Sequence, residues 1–137
     1  MAHEKFRVEV LTPDGAVFDD EVEMVSTKTA VGSIGVLAHH QPLLAMLDPT
    51  ELRLYTNESE TVRFAQAEGY LQVADNRALI LVEEAHAPGD LDAGSLRERL
   101  QQAERELESA GDDTEKRRVA ERDKKRLEMF LSIAESG

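Results

Sequence analysis

The sequence has no cysteine and no tryptophan, and aromatic residues make up only 4% of its 137 positions. Without cysteine the chain has no disulfide framework and no thiolate chemistry, which suits a reducing compartment. Positive charge is also scarce, because 16 Lys and Arg face 28 Asp and Glu, for a formal net charge of −12. That balance argues against nucleic-acid binding and against adsorption to anionic lipid headgroups. We therefore expect protein partners.

Long apolar runs and catalytic motifs are absent as well. No segment approaches the roughly 20 apolar residues that span a bilayer, and residues 1–5 lack the apolar core of a signal peptide. We therefore expect a soluble, cytosolic chain without direct membrane insertion. No nucleophile elbow, phosphate-binding loop or HExxH motif occurs. Of the four histidines, the adjacent His39 and His40 would point to opposite sides of an extended segment, which disfavours a shared metal site. The sequence predicts no enzyme activity, metal or cofactor.

Alternating apolar and polar residues predict β-strands over the first two thirds of the chain. The alternation is clearest at residues 6–10, where a strand is followed by a turn. Residues 16–29 predict a long, interrupted second strand, Leu43–Leu47 a buried strand and Ala78–Val82 a short, fully apolar one. Strands that recur at intervals of roughly 8 to 12 residues are typical of an antiparallel β-sandwich. We assign this domain to residues 1–86.

The stretch from Gly32 to Leu44 combines turn signals with apolar residues. Gly32 and Gly35 predict a bulge or a tight loop between short strands. Pro42 cannot donate to a β-ladder, and it biases the preceding residue toward extended geometry. We therefore expect residues 39–41 on a loop or sheet edge.

The pattern changes from strands to helices after a predicted linker at Ala85–Gly89, and we assign residues 87–137 to this linker and a helical hairpin. Ser95 and Glu98 have the spacing of a capping box and predict a helix start near Ser95. Gly111 predicts its end. Residues 112–115 offer the cap of a second helix that runs to about residue 134. Apolar residues at helical spacing predict the packed faces of the two helices: Leu96, Leu100, Ala103, Leu107 and Ala110 in the first, and Val119, Ala120, Leu127, Phe130, Leu131 and Ala134 in the second.

The second predicted helix carries much of the positive charge of an otherwise acidic chain. Its basic residues are Lys116, Arg117, Arg118, Arg122, Lys124, Lys125 and Arg126. One interpretation is a solvated helix face with i,i+4 ion pairs such as Glu121 to Lys125. The other is a contact surface for an acidic partner. Because the hairpin has few large apolar side chains to offset its ordering entropy, it should be marginally stable unless it docks, as a detachable arm would.

Residues 32–44, Gly-Ser-Ile-Gly-Val-Leu-Ala-His-His-Gln-Pro-Leu-Leu, resemble the Gly-x-Leu-Gly-Ile-x-x-x-His-x-Pro-Leu-Leu signature of the epsilon subunit of rotary ATP synthases. Residues 10–15 look like the first turn of that family, and residues 64–73 look like its Gly-Gly-x-x-x-Val strand with one glycine replaced. The resemblance extends along nearly the whole chain. It implies a sandwich that joins the gamma subunit to the rotor ring of c subunits, at the cytoplasmic face of the cell membrane, without catalytic residues.

The resemblance also implies roles for individual residues. Ser33, His40, Gln41, Pro42 and Leu43 would approach the polar loops of the rotor ring. In this family the second helix can leave the sandwich, extend along the central stalk and meet an acidic segment of the catalytic alpha and beta subunits, which blocks ATP hydrolysis. The resemblance therefore favours a regulatory contact surface formed by Arg117, Arg118, Arg122, Lys124, Lys125 and Arg126.

Some members of the family bind ATP through an Ile/Leu-Asp-x-x-Arg-Ala motif at the start of the first helix. Leu91 and Asp92 match its first two positions, but Ser95 stands in place of the arginine and Leu96 in place of the alanine. Serine cannot make the charge-assisted, bidentate phosphate contact of arginine. We expect ATP to bind weakly or not at all.

Two rival functions remain open at this point. One is a stand-alone regulatory module, in which a sandwich pocket or the region of Asp92 senses a nucleotide and releases the hairpin. The other is a carbohydrate-active sandwich enzyme, which would need a cleft with paired carboxylates and usually aromatic platforms. The scarcity of aromatic residues disfavours this second rival.

Overall fold

The computed structural model describes residues 3–136 and divides the chain into two compact units. The first ends at Ala87 and contains all ten strands, and the second begins at Pro88 and contains both α-helices. The structure confirms the predicted fold class, a β-sandwich followed by a two-helix hairpin.

The strands of the first unit are short, and most pair in antiparallel fashion. They are β1 Phe6–Thr12, β2 Gly15–Val22, β3 Met24–Thr29, β4 Gly32–Leu37, β5 Leu43–Leu47, β6 Thr50–Tyr55, β7 Thr61–Gln66, β8 Gly69–Ala74, β9 Arg77–Val82 and β10 Ala85–His86. They are hydrogen-bonded in the order β10-β7-β6-β3-β5-β8-β9-β1-β2, and β4 pairs with β3. One pair departs from the antiparallel prediction, because β1 and β9 run parallel.

Three sequence predictions about strands need correction. The long second strand is two strands, β2 and β3, which are separated at Glu23. The predicted bulge or loop at Gly35 is regular strand, since β4 pairs with β3 from Gly32 to Leu37 without a register shift. The predicted linker begins as strand β10, whose Ala85 and His86 pair with β7.

The core of the sandwich is formed by the alternate side chains of its strands. In β1 the burial alternates over Phe6, Val8 and Val10, as the sequence predicts. Further fully enclosed side chains come from strands across the sheet order: Val22, Val25, Val36, Leu52, Leu54, Leu71 and Ile80. Removing one of these large apolar side chains from water contributes roughly 1.5–3 kcal/mol, so this alternation accounts for much of the stability of the unit.

A polar side chain inside the sandwich is fully hydrogen-bonded. Gln66 is fully buried, and its Oε1 accepts from Thr27 Oγ1 at 2.7 Å. Its Nε2 donates to the carbonyl oxygens of Asp48 at 3.0 Å and Ala67 at 3.2 Å. The amide therefore ties β7 to β3 and to the turn before β6, and it carries no desolvation penalty for an unpaired polar group.

The second unit consists of a short 3-10 helix, Pro88–Asp90, and helices α1 Ala93–Ser109 and α2 Thr114–Ser136. Gly111 has φ +56°, which fits its predicted role at the end of α1. The predicted apolar faces are buried at Leu96, Ala103 and Ala110 in α1 and at Ala120, Leu127 and Phe130 in α2. Ile133 is also buried, although the sequence analysis did not place it on that face.

We expect Gly69→Ala to destabilise the sandwich, because a Cβ on Gly69 would overlap the carbonyl oxygen of Leu81 on β9. Overpacking of this kind typically costs about 1–3 kcal/mol. The only tyrosines, Tyr55 and Tyr70, lie in the first unit, so urea unfolding followed by tyrosine fluorescence reports on the sandwich alone.

Gly89→Ala is the matched control, since a Cβ there meets no atom within 4 Å. Its unfolding midpoint should stay close to that of the parent chain. Equal midpoints for the Gly69 and Gly89 variants would show that β8 and β9 are not in close contact at this position.

Candidate functional site

An exposed apolar row crosses three neighbouring strands of the sandwich. Met46 on β5 lies opposite Tyr70 on β8, and Tyr70 lies opposite Leu81 on β9. Their exposed fractions are 61%, 52% and 43%, and Leu44 on the same face of β5 is 72% exposed. Contiguous apolar surface of this kind marks protein–protein contact sites. This surface, formed by Leu44, Met46, Tyr70 and Leu81 and here named the apolar row, is one candidate interaction site.

The apolar row is not apparent from the sequence. The sequence predicts Leu43–Leu47 as a buried strand and Ala78–Val82 as a fully apolar one, yet in both strands alternate side chains face outward. In β5 only Leu47 is buried. An apolar strand with one exposed face cannot be distinguished by periodicity from a strand buried on both faces.

The structure places the predicted rotor-ring residues at the two ends of β4. Ser33 is exposed next to the β3–β4 turn, whereas His40, Gln41, Pro42 and Leu43 follow the other end of the strand. Leu37 lies four residues after Ser33, which corresponds to about 13 Å along the strand. Ser33 therefore does not join the loop of residues 40–43, and a partner that contacts both would have to lie along β4.

The loop after β4 is held by polar contacts. His39 has φ +62°, and its backbone N–H donates to Asn76 Oδ1 at 2.7 Å. The His39 Nε2 lies 2.9 Å from Glu4 Oε2, whereas His40 Nδ1 lies 2.8 Å from the carbonyl oxygen of Gln41. The two imidazoles thus contact different partners. Within residues 3–136, no group of three or more His, Asp or Glu side chains is arranged to hold a metal ion.

Most of the arginines proposed to form a regulatory surface on α2 have partners within the hairpin. Arg117 Nη2 donates to the carbonyl oxygen of Gly111 at 2.9 Å. Arg118 makes two hydrogen bonds to Glu115, at 2.6 Å and 3.1 Å, and Arg122 pairs with Asp123 at 3.1 Å. The hydrogen bonds from Arg118 hold the pKa of the exposed Glu115 carboxyl below its usual range. The two ion pairs have i,i+3 and i,i+1 spacing along the helix.

The remaining basic residues of α2 line two grooves between the helices. Lys124 and Lys125 lie along one groove together with Leu107 and Met129. Arg126 and Asp123 border the other, opposite Glu106 of α1. The six predicted regulatory residues therefore belong to one helix but do not form one uninterrupted basic surface.

Leu91 and Asp92, the two residues that match the start of the ATP-binding motif, immediately precede α1. Asp92 is the N-cap, and its Oδ1 accepts from the backbone N–H groups of Gly94 at 3.0 Å and Ser95 at 3.4 Å. The predicted capping box at Ser95 is therefore wrong, because Ser95 is the third residue of the helix. The carboxylate satisfies N–H groups that the first turn would otherwise leave unpaired.

Among residues 3–136, no helix is both long enough and apolar enough to cross a membrane. The charged side chains form ion pairs across the surface, such as Arg7 with Asp19 at 2.7 Å and Arg97 with Glu135 at 2.7 Å. The geometry therefore offers three candidate protein contact regions: the apolar row, the two ends of β4 and the separate basic side chains of α2.

Solved structures of ATP synthases contain chains with this fold. A chain in the OSCP/F1/c-ring part of the Euglena gracilis mitochondrial ATP synthase has a TM-score of 0.76 at 22% identity, and the match covers 96% of this chain and 81% of that one. A chain in the central stalk and c-ring of the Tetrahymena thermophila mitochondrial ATP synthase has a TM-score of 0.63 at 17% identity, with 96% and 98% covered. At these identities the likeness concerns the fold.

Comparison of sequences identifies the family. The model of the beta-sandwich domain of the ATP synthase Delta/Epsilon chain matches residues 5–88. The ATP synthase epsilon chain of Persephonella marina is 35% identical over 130 residues, which cover 94% of this chain and 96% of that protein. That of Halalkalibacterium halodurans is 35% identical over 128 residues, with 93% and 95% covered. The resemblance at residues 32–44 is thereby confirmed, and the chain belongs to the ATP synthase epsilon chain family.

Proposed function

We propose that this chain is a non-catalytic central-stalk subunit of ATP synthase, peripheral to the membrane on its cytoplasmic face. The sandwich would join the gamma subunit to the rotor ring of c subunits, and the hairpin would act as an arm that inhibits ATP hydrolysis by the catalytic alpha and beta subunits. Membership of the epsilon chain family supports a role in the complex. The apolar row is the structural observation that carries the proposal.

The apolar row suits a permanent partner within a complex. Leu44, Met46 and Tyr70 each leave more than half of their surface exposed, and burying such side chains stabilises association. Aromatic and methionine side chains are enriched in the buried centres of protein interfaces. We assign this surface to the gamma subunit, and Ser33 with His40–Leu43 to the rotor ring.

The polar groups of the chain support a non-catalytic role. The carboxylates of Asp19, Glu51 and Glu135 are each paired with an arginine at the surface instead of converging in a cleft. Buried Gln66 is occupied in holding three segments of the sandwich together. Acid–base catalysis requires titratable groups that converge on a substrate, whereas these are spread over separate strands and helices.

The hairpin suits a regulatory arm because it is a compact unit of its own. In the hairpin, Arg117, Arg118 and Arg122 already bind a carbonyl or a carboxylate. To hold an acidic partner subunit they would exchange these contacts for intermolecular ones. Each exchange involves exposed groups and changes the free energy little, so several arginines must act together to shift the population of the arm.

We expect Tyr70→Lys to weaken binding of the chain to an ATP synthase preparation from which the chain has been removed. A lysine there would place a charge in the middle of the apolar row, beside Met46 and Leu81. The dissociation constant should rise at least about 10-fold, which corresponds to about 1.4 kcal/mol. Titration of the depleted complex with labelled chain measures it.

Val17→Lys is the matched control, because Val17 on β2 is an exposed apolar residue outside the apolar row. Its dissociation constant should stay within about twofold of the parent value. The assignment of the apolar row fails if both lysine variants, or neither of them, weaken assembly.

We expect the combined replacement of Arg117, Arg118 and Arg122 by alanine to raise ATP hydrolysis by the assembled complex and to leave synthesis nearly unchanged. Each exposed ion pair is worth about 0–1 kcal/mol, so a single substitution should change little, whereas three together should shift the arm measurably. Alanine favours helix, so lost helicity does not explain the effect. Hydrolysis rates are compared at low salt, where screening is weakest.

Glu135→Gln provides a control of opposite sign, because it removes the ion pair with Arg97 within the hairpin and leaves the three arginines intact. A looser hairpin should release the arm more readily, and hydrolysis should fall slightly. If the triple variant and the parent hydrolyse ATP at equal rates, the basic residues form a solvated face.

We expect ATP to bind weakly or not at all, with no dissociation constant below the millimolar range by calorimetry. Asp92 is occupied as a helix cap, and Ser95 lacks the bidentate donors that arginine offers to phosphate. Ser95→Arg combined with Leu96→Ala should raise the affinity if the start of α1 keeps its geometry. Sub-millimolar binding by the parent chain would favour the rival function as a nucleotide sensor.

A further inference from the structure

Strand β4 has one unpaired edge. It pairs with β3 along its whole length, and no other strand among the described residues pairs with it. The carbonyl oxygen of Lys28 on β3 accepts from Asp48 N–H on the side away from β4. The backbone N–H and C=O groups of successive residues alternate between the two edges of a strand, so those of Thr27 and Thr29 point toward β4. Those of their cross-strand partners, Ile34 and Gly32, point toward β3. The backbone groups of Ser33, Gly35 and Leu37 therefore point to the free edge.

This edge lacks the features that usually protect an exposed strand. Natural proteins keep edge strands from pairing with other chains by charged residues, by proline or by very short strands. The edge strand β2 contains Asp19, Asp20 and Glu21, and the edge strand β10 has two residues. In contrast, β4 is six residues long and contains neither a charged residue nor a proline.

The side chains along the edge leave room for a partner. Ser33 and Gly35 are small and exposed, and Leu37 is 43% exposed. A strand placed beside β4 would reach the N–H and C=O groups of Ser33 and Gly35 and the N–H group of Leu37. The carbonyl oxygen of Leu37 is not available to it, because it accepts a hydrogen bond from the His40 N–H. Glycine in a strand often marks a site where another backbone approaches closely.

We propose that the free edge of β4 binds an extended, uncharged segment of another ATP synthase subunit by strand addition. The inference rests on the proposed function, because Ser33 and residues 40–43, which we assign to a subunit contact, lie at the two ends of β4. A strand along the edge joins both ends into one continuous interface. The partner segment is uncharged because the side chains it would lie beside, Ser33, Gly35 and Leu37, are uncharged. In strand addition, backbone hydrogen bonds supply most of the affinity.

The test compares Gly35→Pro with Gly35→Ala. Proline removes the N–H that points to the free edge and leaves the hydrogen bonds between β4 and β3 in place. Alanine keeps the N–H, and its Cβ would make only ordinary contacts, 3.8 Å to Met24 Sδ and 4.0 Å to the Val25 carbonyl oxygen. The probe is the ATP synthase complex depleted of this chain. Gly35→Pro should bind at least about 10-fold more weakly than the parent, and Gly35→Ala within about twofold of it.

A second pair of variants covers the case in which Gly35→Pro does not fold. Gly35→Lys places a charge at the edge, and Ser26→Lys places the same charge on the same face of β3, directly opposite Gly35 but inside the sheet. Only the Gly35 variant should weaken binding. Amide hydrogen exchange provides a backbone measurement, since the N–H groups of Ser33, Gly35 and Leu37 should become protected when the chain binds the depleted complex.

The outcomes separate this inference from the proposed function. A parent chain that does not bind the depleted complex contradicts the proposed function, and this inference with it. A parent chain that binds, with Gly35→Pro equal to Gly35→Ala and no protection of the three amides, overturns the inference alone. If Gly35→Pro abolishes self-association of the isolated chain but leaves assembly unchanged, the edge binds a second copy, and the inference is also overturned.

Discussion

Burial of one face of each strand in a common core determines which side chains of this chain remain available to partners. The period of two buries Leu52 and Leu54 completely, and it turns Arg53 between them outward. In β5 the same period leaves Leu44 and Met46 outside, although every residue of the strand is apolar. The apolar row therefore exists because the core already occupies the other face, and its exposed area is the surface that we propose for contact with another subunit.

The sandwich can present these surfaces as a rigid body because its polar interior is satisfied. Gln66 joins Thr27 to the backbone at Asp48, so β7, β3 and the turn before β6 are linked by one amide group. An apolar residue of similar size at this position would leave the Asp48 and Ala67 carbonyl oxygens without this donor. The close approach of Gly69 to β9 likewise holds β8 and β9 together. Only a residue without a side chain allows this approach.

The sequence predicts the fold where local chemistry determines it. The alternation over Phe6, Val8 and Val10 and the end of α1 at Gly111, which has φ +56°, can be predicted because each signal lies within a few residues. The exposed face of β5, the parallel pairing of β1 with β9 and the role of Gln66 depend on residues distant in sequence. The spacing of Ser95 to Glu98 fits a capping box that begins at Ser95, but Asp92 lies three residues earlier and accepts from the N–H groups of Gly94 and Ser95, so the helix begins before Ser95.

The candidate sites are also only partly predictable from the sequence. Their residue types can be recognised, but whether the residues form one continuous surface cannot, because residues 32–44 contain both a strand and a loop. In the structure Ser33 and Gly35 of that segment point to the free edge of β4, and its two histidines and its proline lie beyond the end of the strand. Small residues in β4 thus have a physical reason that is independent of turn formation, since side chains with charge or bulk would block the approach of another backbone. If β4 pairs with a partner strand as we propose, its edge has to remain uncharged. The net charge of −12 of the chain would then oppose self-association through β4, because like-charged copies repel each other.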